Sequence, residues 1–107
     1  MPSLKNRELK KAIGSRCPYC DRGMNGFFLV PTRDHVNPRA RGGKLDDEMN
    51  KIICCNRCNT EKGSRTLEEY LGWLEETGNP KAKHVREVVD MRGLIIASKE
   101  RAKLRYR

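Results

Sequence analysis

The chain has 107 residues, 36% of them apolar, 35% charged and 6% aromatic, which leaves room for one domain with a thin core that a structural metal would reinforce. Its formal net charge of +9 points to a polyanionic partner, and charge alone does not choose between DNA, RNA and an anionic surface. No apolar run is long enough to span a bilayer and no signal-peptide pattern opens the chain, so the expectation is an intracellular protein with no membrane segment.

Residues 4–12 read as a short basic helix ended by Gly14 and Ser15. Cys17-Pro-Tyr-Cys20 is a tight turn, and Gly23 and Gly26 loosen the chain after it. Phe27-Phe28-Leu29-Val30 is short, apolar and bounded by Gly and Pro, which predicts a buried strand; Asp34 and His35 then sit at its exit. Residues 37–50 are polar and rich in turn formers, a loop hinged at Gly42-Gly43. Ile52-Ile53-Cys54 is the second strand, and Asn56 to Lys62 a short helix stopped by Gly63. Thr66 and Glu69 fit a capping box. Leu67, Tyr70, Leu71 and Leu74 follow at helical spacing, so 66–76 is an amphipathic helix. A final helix covers about 81–104, weakened by Gly93.

Five cysteines in a chain without a secretion signal, four of them as Cys-x-x-Cys pairs, read as metal ligands before disulfides. Cys17, Cys20, Cys55 and Cys58 would close a tetrahedral zinc site with no open position, hence a structural one. The competing reading is reduced core thiols. A redox pair is disfavoured because no βαβ pattern surrounds either motif. Cys54 is left over as a buried strand residue; a second ligand set would use it in place of Cys55, with poorer spacing.

An acid, an imidazole and a carboxamide, Asp34, His35 and Asn50, lie between the cysteine pairs, and a second carboxamide, Asn59, directly follows the second pair. His35 suits proton abstraction from water near neutral pH. Asp34, its neighbour on an extended chain, faces the other way and can hold a hard cation. Asn59, near the start of the short helix, would add a second oxygen ligand, leaving positions for water and phosphate as Mg²⁺ prefers. Arg33, Arg39, Arg41 and Lys62 are candidate phosphate contacts, against a plain solvated basic face. His84 reads as a surface residue and Trp73 as packing. Tyr106, among Lys103, Arg105 and Arg107, offers a stacking face to nucleic acid.

Thr32-Arg-Asp-His-Val-Asn-Pro-Arg-Ala-Arg-Gly-Gly43, then Asn50, then Cys55-Asn-Arg-Cys58-Asn59-Thr-Glu-Lys62-Gly63 resembles the HNH endonuclease family over roughly residues 17–62. The spacings agree, with 15 residues from His35 to Asn50 and 9 more to Asn59. The resemblance implies an α+β fold: a zinc-stapled ββα-metal (His-Me finger) core at about 17–63 with flanking helices. It also implies a metal-dependent endonuclease cutting DNA, with His35 as general base, Asp34 and Asn59 as ligands of one divalent ion, and Asn50 as the brace that orients the histidine. Asn59 replaces the final histidine, an HNN-type variant whose harder oxygen favours Mg²⁺ or Mn²⁺. The alternative is a catalytically silent zinc module that binds nucleic acid. RNA as substrate, and monomer or homodimer, stay open: one active site makes one cut.

Overall fold

The computed structural model describes residues 7–38, 42–43 and 48–105, with side chains as far as residue 102. Helix α1 (Arg7–Lys11) leads to the first cysteine turn, where Arg16 and Gly23 bridge. Strands β1 (Pro31–His35) and β2 (Lys51–Cys55) pair antiparallel, in register from Pro31 opposite Cys55 to His35 opposite Lys51. Helices α2 (Asn56–Lys62), α3 (Leu67–Glu76) and α4 (Ala82–Arg105) follow. The architecture is thus a two-stranded sheet with helices, α+β as the sequence indicated. No helix among the described residues is long and apolar enough to cross a membrane.

The first strand lies later than its apolar run predicts. Phe27 and Phe28 are 80% and 73% exposed and form an edge-to-face pair in a bend, not a buried strand. The cause is local. Asn25 Oδ1 accepts the N–H groups of Phe27 and Phe28, and Gly26 adopts a φ of 84°, so the chain turns before it can extend. Pro31 lacks the N–H that a strand interior needs and suits a first strand position. Asp34 and His35 therefore belong to β1 itself, with its hydrogen-bond register fixing them, and do not hang from its exit.

One buried cluster runs from the cysteine turn (Cys17, Tyr19, Met24) through β2 (Cys54, Cys55) and Val36, just past β1, to α3 and α4 (Leu67, Tyr70, Leu71, Leu74, Val85). The predicted capping box is present: Thr66 and Glu69 exchange side-chain-to-backbone hydrogen bonds, and α3 turns its i, i+3, i+4, i+7 face inward. Glu61 accepts from Tyr70 and from Lys81, both at 2.6 Å, joining α2 to α3 and to the start of α4. Gly93 does not interrupt α4, which continues to Arg105. Gly43 acts as a close contact more than as a hinge. A Cβ there would lie 1.6 Å from the carbonyl oxygen of Asn37, so only glycine lets the loop return beside the residues that follow His35.

Candidate active site and metal centre

Cys55 ends β2 and is also the N-cap of α2, its sulfur accepting the Cys58 N–H at 3.4 Å. Cys17 accepts the N–H groups of Tyr19 and Cys55, at 3.4 and 3.3 Å. Backbone donors converging on sulfur stabilise thiolate. The four sulfurs of Cys17, Cys20, Cys55 and Cys58 lie within 4.8 Å of one another, and those of Cys20 and Cys55 are 3.9 Å apart. A tetrahedral zinc with bonds of about 2.3 Å wants neighbouring sulfurs about 3.8 Å apart, so the donor set fits. Adjacent strand residues alternate faces, which sends Cys55 to the cluster and Cys54 into the core. That removes Cys54 from the ligand set. Burial pushes the Cys54 thiol well up, the mark of an inert thiol.

Two cations stand beside these sulfurs. Lys81 Nζ is 3.6 Å from Cys58, and the Cys20 sulfur raises the already high pKa of Arg22. Four thiolates on Zn²⁺ would carry a formal charge of −2, which Lys81 and Arg22 would help to offset. The Lys81 contact does not show in the sequence, because Lys81 comes from the turn before α4, 23 residues beyond Cys58.

The chemistry-bearing residues gather where α2 lies along β1. Asn59 donates its amide N–H groups to Thr32 Oγ1 and to the Arg33 carbonyl, both at 3.0 Å. This fixes the carboxamide with its oxygen turned away from the strand backbone. One turn later, Lys62 donates to the His35 carbonyl at 2.8 Å and pairs with Asp34 Oδ1 at 3.1 Å. Asp34 Oδ2 accepts the Tyr19 hydroxyl at 2.6 Å. Tyr19, inside the first cysteine turn, is a positioning residue that sequence reading missed. Its phenol is pushed far up, first by burial and then by the Asp34 charge, so it remains a donor.

His35 is half-buried at the end of β1, its backbone held by Lys62 and by pairing with Lys51. Asn50 clamps the segment just beyond it. Its Oδ1 accepts the Asn37 N–H at 2.8 Å, its Nδ2 donates to the Asn37 carbonyl at 3.0 Å, and its own carbonyl accepts the Val36 N–H. The strand end is therefore rigid on both sides of His35.

The candidate phosphate contacts separate. Arg33 is partly exposed and pairs with Glu8 of α1 at 3.8 Å. Arg39 and Arg41 lie outside the described residues, as does Tyr106. Lys62 is a correction: it is 0% exposed and committed to Asp34 and His35, so it reaches no phosphate in this arrangement. Its sequence position among polar helix residues gave no hint of burial. Trp73 packs, stacking on Tyr70 beneath the Arg65 guanidinium. His84 lines a cleft of about 420 Å³ beside Cys17 and Ile52, away from His35.

The strand–strand–helix unit with its clamped asparagine and cysteine cluster has a counterpart among known families: residues 17–72, just over half of the chain, match the HNH endonuclease family. This chain belongs to the HNH endonuclease family. No individual characterised protein and no solved structure matches it. Membership places the chain among nucleases, with nucleic acid as substrate. The HNH unit here accounts for β1, β2 and α2, and its matched segment runs on into α3.

Asp34 and Asn59 carry the oxygens that could hold a hard divalent ion. Both Asp34 oxygens are already engaged and its side chain is 3% exposed, so an ion bonded to Oδ1 would meet the Lys62 ammonium there.

Proposed function

We propose that the chain is a metal-dependent endonuclease hydrolysing DNA phosphodiester bonds, folded as one domain around a structural zinc on Cys17, Cys20, Cys55 and Cys58. His35 is the general base. Its imidazole leaves the end of β1 on the face opposite Asp34 and takes the proton from the attacking water, while Lys62 on the His35 carbonyl and the Asn50 clamp on Asn37 hold the backbone that carries it. Asp34 and Asn59 hold one divalent ion. When bound, that ion supplies positive charge for the developing phosphorane oxygens and the leaving oxygen. Arg33 and the basic surface contact the phosphate backbone, in keeping with the net charge of +9.

The observation that supports this reading is the anchoring of Asn59: its amide N–H groups are committed to Thr32 and Arg33 of β1, the two residues before Asp34, which leaves its oxygen available as a ligand. The 2′-hydroxyl has no part in this chemistry, so RNA is the competing substrate.

One observation favours the silent binding module instead. Lys62 neutralises Asp34 without any metal, so the fold is electrostatically complete as it stands. Supercoiled plasmid with Mg²⁺, Mn²⁺ or EDTA, beside His35→Ala, separates the two. Metal-dependent nicking lost in the variant supports the nuclease, and direct linear product indicates a homodimer cutting both strands. A plasmid that stays intact while the protein shifts it in a gel supports the module. Cleavage of RNA alone moves the substrate class.

A further inference from the structure

A lysine with no exposed surface is unusual, because burying an ammonium is costly unless every donor finds an acceptor. Lys62 places two of its three donors, on Asp34 Oδ1 at 3.1 Å and on the His35 carbonyl at 2.8 Å, and the first of these acceptors carries the opposite charge. The same carboxylate is a ligand in the reading above, and Asn59 stands one turn earlier on the same face of α2.

We propose that Lys62 is the resident cation of the metal site, holding the place beside Asp34 until a divalent ion displaces its ammonium. The inference rests on the assignment of Asp34 and Asn59 as ligands. A divalent ion bonded to Asp34 Oδ1 at about 2.1 Å would stand no more than about 5 Å from an ammonium still on that oxygen. Two cations on one buried carboxylate repel, so binding and displacement form one exchange. Neither oxygen of Asp34 is idle beforehand, since Tyr19 holds Oδ2. The four-carbon stem of lysine permits the movement, and the strand need not move.

The exchange has two consequences. The carboxylate can be buried in the folded, metal-free protein, because a positive charge is always beside it. Metal affinity is also lower than the ligands alone would give, because each binding event has to release Lys62.

The test uses the zinc-loaded full chain, with Mg²⁺ as the probe, following the Lys62 ammonium and the Asn59 side-chain amide by NMR. Both are expected to shift with a common midpoint. In addition, Lys62→Met should bind Mn²⁺ at least about tenfold more tightly than the parent, counted from free Mn²⁺ by EPR. If Asn59 titrates while the Lys62 ammonium stays fixed, the exchange is wrong and the ligand assignment survives. If neither titrates, the ligand assignment fails and takes the exchange with it. Unchanged or weaker Mn²⁺ binding by folded Lys62→Met also overturns the exchange; should that variant not fold, the titration of the parent decides.

Discussion

The Tyr19 hydroxyl donates to Asp34 Oδ2 at 2.6 Å, tying the first cysteine turn to the strand that carries the site. The cysteine cluster and Asp34 are therefore not independent. Cys17 and Cys20 fix the turn, the turn fixes Tyr19, and Tyr19 fixes one oxygen of a carboxylate whose other oxygen is held by Lys62.

Tyr19→Phe keeps the ring in the core and removes only the donor. A buried carboxylate oxygen then lacks its partner, which should cost about 1–3 kcal/mol of stability. Urea unfolding checks this. A variant as stable as the parent would mean that Asp34 gains nothing from Tyr19. Nicking should also need more Mn²⁺ in the variant, since Asp34 is free to turn, with the rate at saturating Mn²⁺ close to that of the parent.

Cys58→Ser and Cys54→Ala distinguish a zinc centre from a cluster of core thiols. Both cysteines are fully buried, but only Cys58 belongs to the sulfur cluster. Cys58→Ser should lose its zinc and its cooperative melt, because a domain this small draws much of its folding energy from the metal. Cys54→Ala should keep one zinc per chain and lose about 1 kcal/mol. Zinc content by elemental analysis, beside thermal melts, reads both. Equal losses in the two variants would remove the metal from the account.

Acidity gives a further handle on the same centre. In the metal-free fold the Cys17 thiol is held down to about 4 by the hydrogen bond from Cys58 and by backbone N–H donors. Burial raises Cys55, and the bond to Cys17 followed by burial raises Cys58. Because the folded value of Cys17 lies below the unfolded 9.0, its contribution to stability is full above that range and is lost as pH falls toward about 4. Cys55 and Cys58 act oppositely: their folded values are raised, so stability is lost as pH rises through the thiol range and the unfolded chain ionises. Zinc requires thiolates, so binding near pH 7 should expel the protons of Cys55 and Cys58. Calorimetry in buffers of different ionisation enthalpy measures that release, and zinc affinity should fall steadily below neutrality. Binding without proton release would rule these thiols out as ligands.

The sequence was most informative where chemistry and local periodicity speak together. Cysteine spacing identified the cluster down to Cys55 over Cys54, and the capping box with its apolar stripe placed α3 within a residue. It misled where a local hydrogen bond overrides hydrophobicity: the Asn25 side chain turns the Phe27-Phe28 run out to solvent, and β1 begins at Pro31. It was silent on partners distant along the chain. Tyr19 and Lys62 lie 15 and 28 residues from Asp34, and only the docking of the turn and of α2 against β1 brings them to it. A lysine in a basic chain reads as a phosphate contact until its burial is seen.

Asn59→Ala, Asn50→Ala and His35→Ala should fail in different ways. Removing Asn59 takes one proposed ligand and two hydrogen bonds to β1, so nicking at low metal should drop about 100-fold, with much of the loss recovered as Mn²⁺ rises. Removing Asn50 frees the Asn37 backbone beyond His35 and touches no ligand, so added metal should restore nothing. His35→Ala removes the base, for a loss of about 10²–10⁴ at every metal concentration, while DNA binding persists. Initial nicking rates across a Mn²⁺ series resolve the three. If Asn59→Ala stays flat across that series, Asn59 braces the fold as Asn50 does, and the ion has only Asp34.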